Sequence, residues 1–129
     1  MKAHLTQVRI SPKKMNLVAS MVRGMGVNEA LETLQFTNKK AAGILYKLVA
    51  SAKANAEHNF KQDASRLVID EIIVNEGVTY KRRQPISRGR AHPILKRTSH
   101  VTVKINVDDT PAPTPKKVVK KAEAKKESK

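Results

Sequence analysis

Three features of the chain predict an α+β fold that carries a long protruding β-hairpin. Val101, Val103, Ile105 and Val107 alternate strictly with Thr102, Lys104 and Asn106, the pattern of a strand with one buried face. Residues 67–74 form a second, near-continuous apolar run rich in β-branched side chains. Before them, apolar residues recur at helical spacing in three successive segments.

Taken in order, residues 4–10 carry Leu5, Val8 and Ile10 and are expected to form a short first strand. Ser11-Pro12 marks a helix start, with Ser11 as N-cap and Pro12 at the first helical position. Met15, Val18 and Val22, with Leu17 and Met21, are expected to form one apolar face, and Gly24-Met25-Gly26 to end the helix. Asn28 can cap a second, short helix burying Ala30, Leu31 and Leu34. Thr37 can cap a third over residues 38–59, with Ala41, Ile44 or Leu45, Leu48, Ala52 and Ala56 as its inner stripe. The small alanines allow a neighbouring element to approach closely.

If the runs 67–74 and 101–107 pair antiparallel in register, Leu67 faces Val107 and the turn centres near Ser87. Residues 67 to 85, fully extended, would span ~60 Å at ~3.3 Å per residue. A compact unit of about 107 residues is only roughly 35 Å across. The apolar halves can therefore be buried, while the polar distal half, residues 78–98, must project. An isolated two-stranded ribbon is marginal in water, so the arm is expected to order fully only against a partner.

The arm is cationic. Residues 81–97 carry seven Lys or Arg and no acid. The whole chain has 26 Lys and Arg against 11 Asp and Glu, a formal net charge of +15. The last 22 residues, a Lys-, Pro- and Ala-rich stretch expected to be disordered, hold seven of those bases and four of the acids. The excess therefore belongs mainly to residues 1–107, expected to be one domain with the arm at about 75–100. Such a surface calls for a polyanion, and nucleic acid is the usual one. A membrane surface fits poorly: there is no Trp, aromatics are 3% of the chain, and no apolar run approaches ~20 residues. The start of the chain lacks the apolar core of a signal peptide, and no cysteine supplies a disulfide or thiolate. A soluble, cytoplasmic protein is expected.

Little in the chain suggests catalysis. His4, His58, His92 and His100 show no metal-ligand spacing, so no metal or cofactor is expected. Asp70, Glu71 and Glu76 read as solvent-facing strand residues or as ion-pair partners that orient the arm. No Gly-rich phosphate loop and no nucleophile motif occurs. Arg88-Gly89-Arg90 instead suits a turn in which backbone and guanidinium groups approach a ligand closely. Pro85 and Pro93 blunt the ribbon edges and are expected to mark where regular pairing gives way. Tyr80 could stack on a base or pack on the ribbon.

Several segments, in order, resemble one family: Ile10-Ser11-Pro12-Lys13-Lys14, Leu17-Val18-Ala19, Arg23-Gly24 and Phe36-Thr37-Asn38-Lys39-Lys40-Ala41-Ala42. Ala52-Lys53-Ala54-Asn55-Ala56-Glu57-His58-Asn59, Asn75-Glu76-Gly77, Arg88-Gly89-Arg90-Ala91 and Lys96-Arg97-Thr98-Ser99-His100 continue it. The chain is similar over residues 4–107 to the bacterial-type large-subunit ribosomal protein twenty-two family. It departs from that pattern at Val78, where a Pro is expected, at His92-Pro93, where a polar or charged pair is expected, and at Arg83, where an apolar residue is common.

The resemblance implies three helices packed on a small three-stranded antiparallel sheet with a long protruding β-hairpin. It also implies a structural, non-enzymatic constituent of the cytoplasmic large ribosomal subunit. Such a protein binds 23S ribosomal RNA, meets neighbouring large-subunit proteins and acts early in assembly. Its globular part would lie near the exit of the nascent-peptide tunnel, and its tip would meet the nascent polypeptide. Carried over by motif, the RNA-binding residues would be Lys13, Lys14, Arg23, Lys39, Lys40, Lys81, Arg82, Arg83, Arg88, Arg90, Lys96, Arg97 and His100. The tunnel-lining tip would be Arg83, Gln84, Pro85, Ile86, Ser87, Arg88, Gly89, Arg90, Ala91 and His92.

Two other classes fit parts of the sequence. An architectural DNA-bending protein would use Pro-tipped β-arms in the minor groove, usually as a dimer. An RNA-modifying enzyme would need a cofactor loop or nucleophile, which the sequence lacks.

Overall fold

The strand alternation and the helical spacing produce the α+β architecture in a computed structural model that describes residues 1–107. The expectation for residues 108–129 lies outside the described residues. In chain order the elements are β1 (Lys2–Val8), α1 (Pro12–Val22), α2 (Val27–Phe36), α3 (Lys40–Phe60), a 3-10 turn (Ala64–Arg66), β2 (Leu67–Glu76), β3 (Tyr80–Pro85), β4 (Ala91–Lys96) and β5 (Ser99–Val107). β1, β5 and β2 form an antiparallel sheet in that order, and β3 and β4 form a separate two-stranded sheet.

The core lies between the three-stranded sheet and the helices. On β5, Ser99, Val101, Val103 and Ile105 turn inward, as period-two alternation requires. Against them α3 buries Ala41, Ala42, Leu45, Leu48, Val49, Ala52 and Ala56. This includes the expected stripe, with Leu45 taking the inner position and Ile44 only partly buried. α1 contributes Met15, Val18, Ala19 and Val22 and packs on β2. Each fully buried side chain such as Met15, Leu34, Leu45 or Ile105 contributes about 1.5–3 kcal/mol of transfer free energy.

Several boundaries differ from the sequence expectation. β1 runs from Lys2 to Val8, and within it Gln7 takes a left-handed backbone (φ 53°) where the pairing with β5 shifts. Leu17 and Met21 do not join the inner face of α1; they are 63% and 46% exposed. α2 starts two residues earlier than an Asn28 cap would allow, since Gly26 precedes it and Val27 is buried in its first turn. Thr37 does not cap α3: its hydroxyl donates to the Thr33 carbonyl, closing α2, and Lys39 precedes α3 instead.

The hairpin is not one continuous ribbon. Leu67 faces Val107 as expected, but the register slips by one between Ile69 and Glu71. It slips again between Glu76, opposite Ser99, and Tyr80, opposite Lys96. Each slip adds a residue to the outgoing strand, so the turn centres on Arg88 and not on Ser87. Arg88 and Gly89 both take positive φ (62° and 71°), and the Ile86 amide donates to the Arg90 carbonyl across the turn. From that bond, the alternation of antiparallel pairs places Pro85/Ala91 and Arg83/Pro93 at non-hydrogen-bonded positions. Neither proline therefore costs a ladder bond. Pro85 ends β3, but Pro93 sits inside β4 and does not interrupt pairing.

Between the two sheets the chain is clasped by a small polar cluster. The Gly77 amide donates to the Thr98 carbonyl, and the buried Thr98 hydroxyl donates to the Val78 carbonyl at 2.7 Å. Glu76 and Arg97 close the same junction with an ion pair at 2.8 Å.

Candidate nucleic-acid interface

At the root of the ribbon a cleft of about 1170 Å³ opens between β3–β4 and the starts of α1 and α3. Arg9, Lys14, Lys39, Lys40, Arg82, Lys96 and Arg97 line it, and no acid does. Among the described residues only Arg97 of these seven forms an ion pair, with Glu76. Neither α1 nor α3 has an acid in its first turn or a side-chain cap. Their positive dipole ends therefore reinforce the side-chain charge. An arrangement of this kind stabilises phosphates and performs no bond chemistry.

The structure brings six of the thirteen RNA-binding candidates together there: Lys14, Lys39, Lys40, Arg82, Lys96 and Arg97. Lys13 is exposed in the first turn of α1 beside them. Strand alternation sends Lys81 and Arg83 to the ribbon face opposite Tyr80 and Arg82, so both faces are cationic. Arg88 and Arg90 stand at the exposed turn, within the tip from Arg83 to His92, all of whose residues are exposed.

Besides Arg97, two candidates are engaged within the protein. The Arg23 guanidinium donates to the Ile72 carbonyl (Nη2 at 2.7 Å) and to Asn16 Oδ1 (2.6 Å), capping the edge of β2. His100 Nδ1 accepts the Gln7 amide at 3.2 Å, at the irregularity in β1.

Sequence reasoning missed Arg9. The signal was present: Arg9 lies between the buried Val8 and Ile10, so it must face outward, next to Lys13-Lys14 in sequence. Of the three acids weighed as arm-orienting partners, Glu76 holds Arg97 at the ribbon root. Glu71 pairs with Lys104 and Asp70 accepts from Asn106, both inside the main sheet. No helix is long and apolar enough to cross a membrane among the described residues.

The sequence profile of the ribosomal protein L22p/L17e family matches residues 3–106. The chain is 54% identical over 104 residues to the large ribosomal subunit protein uL22 of Metamycoplasma arthritidis, covering 81% of this chain and 50% of that protein. It thus spans half the length of that relative. It is 50% identical over 105 residues to uL22 of Fusobacterium nucleatum, covering 81% of this chain and 95% of the relative. With uL22 of Lactobacillus delbrueckii it shares 48% over 105 residues, covering 81% and 90%. The match thus takes in the sheet, the helices and the whole cationic ribbon, and the chain belongs to the ribosomal protein L22p/L17e family, whose members are structural constituents of the ribosome and not enzymes.

Proposed function

We propose that this chain is a structural constituent of the cytoplasmic large ribosomal subunit that binds 23S ribosomal RNA through its basal cleft and its ribbon. Residues 1–107 act as the RNA-binding unit, with the arm at about 75–100 reaching into the RNA and the tail from residue 108 lying outside it. The observation that carries this reading is the cleft: seven cations and no acid at the root of a ribbon that itself carries no acid. Phosphate neutralisation with counterion release supplies the affinity, and the shape of folded RNA supplies the register. In this reading Lys13, Lys14, Lys39, Lys40, Lys81, Arg82, Arg83, Lys96 and Arg97 contact phosphates. Arg88 and Arg90 carry the tip, residues 83–92, to the wall of the nascent-peptide tunnel. Arg23 and His100 support the interface from within the fold. The globular part then sits near the tunnel exit, beside other large-subunit proteins, and the chain joins early in assembly.

Deleting residues 81–97 tests the proposal in subunits reconstituted with the full chain as control. The expected result is a folded core with unchanged helix content, weaker rRNA binding and a tunnel wall altered in a density map. Normal assembly with an unchanged tunnel wall would refute it.

A further inference from the structure

The basal cleft is not a uniformly polar trough. Leu17 (63% exposed) and Tyr80 (37%) line it, inside the rim of cations. Phosphate alone gives no reason to leave apolar side chains bare on a cationic surface. A duplex backbone presents phosphate and sugar, and keeps its bases stacked inside. A single-stranded nucleotide presents both an anionic backbone and a flat base that gains by leaving water. The space suffices, since about 1170 Å³ exceeds the roughly 300–1000 Å³ in which drug-sized ligands are held. A platform is also present: the Arg82 guanidinium carbon lies 5.9 Å from the centroid of the Tyr80 ring, and both planar groups stack readily on bases.

Resting on the rRNA-binding reading above, we infer that the cleft receives an unstacked, single-stranded nucleotide of the RNA. Its base lies against Tyr80 and Leu17, and its flanking phosphates meet Lys14, Lys39 and Lys96. The ribbon reads shape along its length, and its root holds one extruded base.

The test uses the full chain carrying Tyr46→Phe, which leaves Tyr80 as the only one of two tyrosines. Three probes are compared by titration: a single-stranded adenylate pentamer, an abasic ribose-phosphate pentamer of equal charge, and a short RNA duplex. The adenylate pentamer is expected to bind about tenfold more tightly than the abasic chain, the effect of one stacked base, and to quench Tyr80 fluorescence. Leu17→Ser, at an exposed position, is expected to reduce that preference while leaving abasic binding and its salt dependence unchanged. Equal affinity for the two pentamers with Tyr80 emission unmoved would overturn the inference and leave the rRNA-binding reading standing. Preference for the duplex would overturn it as well. Displacement by an acidic leucine-containing peptide, with no response to adenylate, would overturn it in favour of a protein partner. Failure to bind all three probes would sink both readings.

Discussion

Gly77 and Gly89 are constrained for opposite reasons. A Cβ at Gly77 would lie 2.5 Å from Thr98 Oγ1 and 3.1 Å from His100 Nε2, whereas one at Gly89 would meet nothing within 4 Å. Space decides at Gly77; backbone conformation, with φ at 71°, decides at Gly89. Gly77→Ala forces the buried Thr98 to turn and release the Val78 carbonyl, which should cost about 1–2 kcal/mol, read as a lower unfolding temperature and faster amide exchange at the ribbon root. Gly89→Ala should cost about 1 kcal/mol of local strain. It should disorder the turn in NMR spectra without moving the unfolding temperature of the core. Lys104 offers a titration at the same scale. The Glu71 carboxylate at 2.7 Å raises the Lys104 pKa, first through the hydrogen bond and then through charge attraction. Because the folded-state pKa is raised, the pair's stabilisation is complete below the ordinary lysine pKa and is lost as pH rises through the raised value. Glu71→Gln should move the Lys104 transition downward, measured by NMR at Cε, and remove that share of the alkaline stability loss.

At the scale of elements, α3 shows what small residues achieve. Ala41, Ala42, Ala52 and Ala56 are all buried, and the helix packs on β1 and β5. Ala52→Leu inserts three carbons where no exposed area remains and should cost about 1–3 kcal/mol by overpacking, measured by chemical denaturation. The alanine stripe was legible in the sequence because helical periodicity survives any register error of a neighbour. The strict alternation of residues 101–107 was legible for the same reason. The slip in β2 was written there too: Leu67 and Ile69 face inward, then Ile72, so the inward parity changes across Asp70-Glu71. Read as a plain β-branched run, that change goes unnoticed, and the turn falls one residue early. The helix starts were misplaced because polar side chains near a helix end compete for several roles. Thr37 closes α2 and does not open α3, and Asn28 Oδ1 accepts from Lys53. The cleft was legible only as separate basic motifs. Its walls come from positions 9–18, 39–41, 80–82 and 95–98, and only the folded sheet brings them together.

For the whole molecule, the sign of the charge is sorted by place. β3, β4 and the cleft carry no acid, whereas Glu29, Glu32, Glu57, Asp63 and Asp70 lie on other surfaces. RNA affinity should therefore fall linearly on a log–log plot of binding constant against salt, by about 0.7–0.9 per phosphate neutralised. Lys39→Ala should lower that slope by about one unit, with the unfolding temperature unchanged; a slope that does not move would remove Lys39 from the contact set. A last consequence lies in the two slips of register. The ribbon is its own two-stranded sheet, and among the described residues the Gly77–Thr98 clasp and the Glu76–Arg97 pair supply the hydrogen bonds at its root. It is mechanically a lever. The extended stretch from Gly77 to Arg88 measures about 36 Å, so a swing of about 10° at its pivot carries the tip through about 6 Å. Where the tip arrives is thus governed by a handful of atoms far from it, and a change at the pivot should be felt as a misaimed tip before it is felt as an unfolded protein.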